Sequence, residues 1–203
     1  FCPNPMDFIH VSNISSHIGN SIEFITEVIG ELNNIKTIWE PHGRTARKGF
    51  VTDKKFNLFE NSSVKLAQLK AIICDEIDAY YLKFQKETCS FIKKWPSEIF
   101  LHGWHVVLKK QGYNTAHIHP TGWLSGVIYL KVVPALEKNE GAIEFSLNGQ
   151  YYHHKKSPYL ILQPKVGDIV FFPSSLFHRT IPFTTDTDRI IVSFDLMPEA
   201  AKY

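Results

Sequence analysis

Residues 117–130 read HIHPTGWLSGVIYL, and the fold turns on that stretch. Behind Pro120 and Gly122 runs a short apolar segment, Trp123–Val132, bounded by turn residues as a strand is. Runs of the same kind recur on both sides of it. Trp104–Leu108, Ala116–His119, Ala142–Leu147, Tyr159–Leu162, Ile169–Phe172 and Arg189–Leu196 follow one another after Trp95-Pro96. Gly, Pro, Asn or Asp separates most of them, and no helical stretch intervenes. That excludes βαβ units and predicts an antiparallel sandwich or jelly roll.

Upstream the period changes from two to about 3.6. Ile22, Ile25, Ile29 and Leu32 predict one helix, with Asn20 and Glu23 as its capping box. Leu66, Leu69, Ile73, Ile77, Tyr80 and Phe84 predict a second, capped by Ser62 or Ser63. Residues 40–60 are polar and basic, and read as a loop holding at most one edge strand. The expected organisation is a single domain over 1–203. It is mainly β with flanking α-helices: a helical or mixed layer at 1–97 outside a small double-sheet barrel at 98–198.

Composition narrows the function classes. With 203 residues, 44% of them hydrophobic, a substantial core is available. Twenty-two basic against 20 acidic side chains leave a formal charge of +2, too balanced for a nucleic-acid coat or a polybasic anchor. No apolar run approaches the roughly 18–20 residues of a membrane span. Cys2, Cys74 and Cys89 have no CxxC spacing, which argues for a reducing, cytoplasmic setting. The first residue, Phe1, points to a processed chain or the C-terminal part of a longer protein.

Ten histidines are sorted by position. His117 and His119 sit two apart on a strand candidate, so both rings can face one side. His178 ends the run GDIVFFPSSLFH (residues 167–178), on an element that a closed barrel can bring opposite them. Neutral imidazoles at such a point suit Fe, Zn, Cu or Ni, with positions left open for substrate and oxygen. His10, His17, His42, His153 and His154 are read as ordinary polar residues. His102 and His105 are harder to set aside, because they precede the HxH strand and His105 can point inward. Arg189 opens the last strand, RIIVSFDL. A buried guanidinium there needs a carboxylate, either Asp186 or Asp188 at the surface or that of a ligand held bidentately. Ser193 shares its strand face, and Tyr129 can bring a hydroxyl to the same carboxylate.

The ordered set HIHPTGWLSGVIYL, GAIEFS, GDIVFFPSSLFHRTIPF and RIIVSFD resembles the core of the iron(II)/2-oxoglutarate-dependent oxygenases, prolyl-hydroxylase-like members among them, over about residues 100–198. The resemblance implies a double-stranded β-helix (a cupin-like jelly roll) with N-terminal helices. It implies iron(II) held by the HxH region and His178, and 2-oxoglutarate chelating that iron with its far carboxylate on Arg189. Ser193 and Tyr129, with Ser125 as a further candidate, would be hydroxyl partners of that carboxylate. O₂ and 2-oxoglutarate would be co-substrates, and a peptide, protein or small molecule the substrate. No nucleic-acid or membrane partner is expected.

One departure bears on the metal. The family's triad is His-x-Asp/Glu…His, and His119 stands where its carboxylate belongs. Glu144 and Asp168 are the candidate substitutes, and whether His117, His119 or both bind is left open. Three histidines also resemble cupin-type dioxygenases that need no 2-oxoglutarate. The Glu of the cupin first motif, however, is replaced by Pro120-Thr121-Gly122-Trp123. A non-catalytic jelly-roll binding module and a three-histidine zinc hydrolase complete the alternatives. Trp104, Trp123, Phe172 and Phe177 are candidate dry walls, and Arg44, Arg47 and Lys48 a basic loop before the barrel.

Overall fold

The computed structural model describes residues 1–198 except 61, 99, 135–136 and 150–151. Ten strands form two antiparallel sheets. In chain order these are β1 (His10–Asn13), β2 (Thr37–Trp39), β3 (Ala46–Thr52), β4 (Phe100–Asn114) and β5 (Leu124–Lys131), then β6 (Ile143–Ser146), β7 (Tyr159–Leu162), β8 (Asp168–Pro173), β9 (Phe177–Thr180) and β10 (Arg189–Met197). The large sheet runs β1-β8-β5-β10-β4-β3-β2 and the small one β7-β6-β9. Helices α1 (Ser21–Leu32) and α2 (Val64–Phe84) cover the outer face of the large sheet, and a short α3 spans Ser90–Lys93.

Period-two alternation explains both cores. On β10, Ile190, Val192, Phe194 and Leu196 pack toward the helices with Leu124 and Ile128 of β5 and Phe171 of β8. The intervening residues face the small sheet, where Val127, Phe172 and Ile191 meet Ile143 and Phe145. Both faces of the central strands are therefore buried, which is why their sequences run almost continuously apolar. Two glycines make room for aromatic rings. A Cβ on Gly126 would lie 2.1 Å from Phe194, and one on Gly103 would lie 2.3 Å from Phe59.

The expected helices form, with Asn20 accepting from the Glu23 amide at the start of α1. Ile22 is exposed, however, and Phe24 and Val28 take the core positions instead. The stretch 40–60 holds more than an edge strand. β3 is interior, paired with β2 on one side and β4 on the other, and β2 is the edge. Its pattern is disguised by a register shift between Arg47 and Gly49, where Lys48 takes φ 50°. β1 was not foreseen; it joins the large sheet by pairing with β8. Ala116–His119 is not a full strand. It makes one bridge, His117 to His178, before turning at Pro120, which has no amide to continue a ladder. His178 itself lies inside β9, a strand too short and polar to stand out in sequence, and one that β6 defines by pairing.

Gly126→Ala is expected to lower stability by about 1–3 kcal/mol, because Phe194 is fully buried and cannot yield. Thermal unfolding should show a melting temperature several degrees below wild type.

Candidate metal centre

Paired amide–carbonyl bonds of 3.0 Å in each direction join His117 and His178 across the barrel. His119 follows two residues later, its amide donating to the Ser174 carbonyl at 2.9 Å. One ligand atom from each of the three rings lies within 4.8 Å of the other two. The Nδ1 atoms are spoken for: His117 toward the Thr115 carbonyl at 2.6 Å, His178 toward the Leu176 carbonyl at 3.1 Å and His119 toward Asp195 Oδ1 at 2.6 Å. Each of those partners is an acceptor, so each Nδ1 carries the proton and each Nε2 presents its lone pair. The Nε2 atoms of His117 and His119 stand 3.3 Å apart. Two acceptors at that separation call for a shared cation, and three neutral imidazoles are a donor set that iron accepts.

Burial keeps His117 and His178 uncharged. It pulls His178 well below its ordinary value, with the neighbouring His117 and His119 adding to the effect. His117 falls to about 4, again mainly through burial. His105 also falls to about 4, through burial alone, but in a different place. It pairs in register with Val192, on the helix-facing side of β4, so it points away from the centre. His102 is on the inward side and lines the cavity, so of these two it is not His105 that points inward.

The cavity has a volume of about 460 Å³ and holds the three histidines at one region and Arg189, Tyr129 and Ser193 at another. Arg189 is 1% exposed, its Nε donating to the Gly141 carbonyl at 3.2 Å. Its guanidinium lies 4.9 Å from the centre of the Tyr129 ring, a contact through the face of the phenol. Arg189 Nη1 and Tyr129 Oη are buried without a hydrogen-bond partner among the described residues. Burial lowers the pKa of the guanidinium and raises that of the phenol to about 12, so Tyr129 remains a neutral donor. The surface pairing considered for Arg189 does not occur: Asp188 binds Lys109 at 2.6 Å and Asp186 binds Lys110 at 3.2 Å. Two buried donors facing one cavity fit the far carboxylate of a small diacid.

Other sequence candidates fall elsewhere. Ser125 donates to Asp195 Oδ1 at 2.6 Å and sits behind His119, away from Arg189. Glu144 forms a two-pronged pair with Arg179 at 2.8 Å, and Asp168 accepts from Asn13 and from the Lys165 amide. Neither completes the metal shell. The Trp104 ring lies tilted 5.3 Å from His119 and Phe172 lies 4.5 Å from His178, so two of the four aromatic candidates wall the site. Trp123 packs on Phe91 under the helices, and Phe177 lies against Gly149. Asp195 is the cavity residue that sequence reading passed over. Its signal was parity: on β10 it continues the inward row Arg189, Ile191, Ser193.

Residues 102–195 match the family profile described as "Putative 2OG-Fe(II) oxygenase". Over those residues the chain is similar to the 2OG-Fe(II) oxygenases. Its fold is that of solved members at low identity. A prolyl-4-hydroxylase from Pseudomonas putida superposes with a TM-score of 0.63 at 11% identity, over 95% of this chain and 93% of that one. HygX from Streptomyces hygroscopicus, crystallised with nickel and 2-oxoglutarate, gives 0.62 at 12%, over 98% and 88%. The α-ketoglutarate-dependent carbocyclase SnoK from nogalamycin biosynthesis gives 0.64 at 13%, over 97% and 84%. No curated protein sequence matches the chain. The barrel is the double-stranded β-helix of these structures, and iron(II) and 2-oxoglutarate are the cofactor and co-substrate of the matched family.

The buried rings make the metal-free protein acid-sensitive. An unfolded imidazole takes a proton near pH 6.5, whereas His105 and His117 resist it until about pH 4 in the folded state. Their contribution is whole above pH 6.5 and is lost progressively as the pH falls toward 4. Melting temperatures measured between pH 7.5 and 4.5 should fall across that window. His105→Leu, remote from the centre, should flatten part of the slope.

Proposed function

We propose that the protein is an iron(II)- and 2-oxoglutarate-dependent dioxygenase that hydroxylates an unactivated C–H bond of a peptide, protein or small-molecule substrate. The observation that carries this reading is the pairing of a three-histidine cluster with a buried, incompletely bonded Arg189 in one cavity. His117, His119 and His178 would hold the metal, all three rather than a pair, because their Nε2 lone pairs converge. Arg189 would take the distal carboxylate of the co-substrate, with Tyr129 donating its hydroxyl and Ser193 a further one. When bound, iron with 2-oxoglutarate and O₂ supplies the oxidising power, releasing succinate and CO₂ as the substrate gains a hydroxyl group.

The chain's own contribution is orientation and exclusion of water. Trp104 and Phe172 cover the imidazoles, and the fully buried Arg189 holds a charge where water does not compete. The cavity is far larger than a five-carbon diacid, so room remains for a substrate group. Its lining includes half-buried Arg44 and exposed Lys54, with Arg44 5.8 Å over the Trp104 ring. Of the basic loop singled out in sequence, Arg44 reaches the cavity, while Arg47 bonds the Arg44 and Ala46 carbonyls and Lys48 bonds Gln111. The solved relatives act on both substrate kinds: a Trichoplax adhaerens prolyl hydroxylase holds a peptide fragment, and HygX holds hygromycin B. A cytoplasmic setting fits the three free cysteines, and no helix among the described residues is long and apolar enough to cross a membrane.

The three-histidine set is the observation favouring the other reading, a dioxygenase without 2-oxoglutarate. The two are separated by incubating iron(II)-loaded protein with O₂, with and without 2-oxoglutarate, and measuring O₂ uptake and succinate. Uptake that requires 2-oxoglutarate and yields succinate is the expected result; uptake indifferent to it would favour the alternative. Arg189→Ala should weaken 2-oxoglutarate binding by roughly 30-fold or more, because a buried charged partner is worth about 2 kcal/mol or more. His178→Ala should abolish metal binding.

A further inference from the structure

The first shell of three neutral imidazoles lacks the carboxylate that offsets iron's charge in the His-x-Asp/Glu…His triad. A carboxylate is nevertheless present one bond further out. Asp195 is 6% exposed, and its Oδ1 accepts from His119 Nδ1 at 2.6 Å and from Ser125 Oγ at 2.6 Å. Ser125 in turn takes a hydrogen bond from Ser174 Oγ at 2.8 Å, so the buried hydroxyls are oriented in a chain that ends on the carboxylate. Among the described residues no lysine or arginine forms an ion pair with Asp195, and its ring partner is the imidazole of His119. The backbone is shaped to admit this arrangement. A Cβ on Gly122 would stand 2.6 Å from Ser174 Oγ and 3.1 Å from the Asp195 carboxyl carbon, so the turn after the HxH pair covers the carboxylate only because position 122 is glycine.

The three imidazoles are thus unequal. His117 and His178 donate from Nδ1 to neutral peptide carbonyls, while His119 donates to a charged oxygen at short range. A hydrogen bond to a carboxylate is stronger than one to a carbonyl and draws the N–H proton outward, which leaves more electron density on the opposite nitrogen. His119 is also the residue that occupies the carboxylate's place in the motif.

We propose that Asp195 is the positioning residue of the metal centre, and that it supplies through His119 the negative charge that a first-shell carboxylate supplies elsewhere in the superfamily. The proposal rests on the reading of His117, His119 and His178 as metal ligands. Asp195 does not touch the metal; it fixes the ring orientation and tautomer of His119 and makes that ring the strongest donor of the three. Ser125 and Ser174 keep the carboxylate aimed.

The test uses the full chain, stripped of metal and titrated with Mn(II) and Co(II), as wild type, Asp195→Asn, Ser125→Ala and His178→Ala. Asparagine keeps the shape and an acceptor oxygen but removes the charge. Asp195→Asn should weaken metal binding by roughly 10- to 100-fold and raise the Fe(III)/Fe(II) midpoint potential, with Ser125→Ala changing both much less. Wild-type affinity and potential in Asp195→Asn would overturn the proposal while leaving the metal site intact, provided His178→Ala still abolishes binding. Should wild type itself bind no metal dependent on His178, the underlying reading fails instead. If Asp195→Asn does not fold, ¹⁵N NMR of the Zn(II)-loaded wild type decides. The one-bond N–H coupling at His119 Nδ1 should be smaller than at His117 and His178, and equal couplings at all three would reject the assignment.

Discussion

The site depends on one geometric constraint: β10 is buried on both faces, and its side chains must alternate between two different environments. Even-numbered residues from Ile190 to Leu196 are held by the helices and cannot be exchanged for polar ones. Odd-numbered residues face the space between the sheets, and there the strand places Arg189, Ile191, Ser193 and Asp195 in a single row. A slip of one residue would drive a guanidinium and a carboxylate into the hydrophobic layer under α1 and α2. The aromatic packing of Phe194 over Gly126 is therefore part of what keeps the chemistry in register, although it touches nothing in the cavity.

Electrostatically the cavity is divided. At one region burial strips charge from His117 and His178, producing neutral donors that a cation must satisfy. At another it retains a guanidinium, whose pKa burial lowers and the Tyr129 face partly restores. An ordinary hydrophobic core would contain neither, since each buried polar group costs free energy unless it is bonded. Such a combination is tolerable where a metal and an anionic ligand complete it. The same reasoning explains why Asp195 is enclosed with two hydroxyls and an imidazole rather than with another ionised side chain. That surrounding keeps its charge available to His119.

Much of this was legible from residue order. The strands from Trp104 to Leu196, apart from Ala116–His119, and the helices α1 and α2 follow from period two and period 3.6, and they appear where expected. The two-residue spacing of His117 and His119, the isolated His178 and the arginine opening the last strand marked the cavity's contents. Other features were obscured for physical reasons. β3 was hidden by the register shift at Lys48, which breaks the alternation that reveals a strand. β9 was hidden because a four-residue polar strand has no intrinsic preference strong enough to be seen; its partner β6 creates it. The inward orientation considered for His105 belongs to His102, and sequence could not tell them apart because parity along a strand can be assigned only when one residue's side is known.

Residue order alone determined the elements, the donor types and the absence of an acid two positions after His117, since all of these are properties of local pattern. Tertiary structure decided which nitrogens converge, that Arg189 has no acidic partner among its described neighbours, and that Ser125, Ser174 and Asp195 cluster behind His119. Those depend on strand pairing across 50 to 80 residues of chain. Pairing partners in an antiparallel barrel are chosen by packing of the whole, so no local segment carries that information.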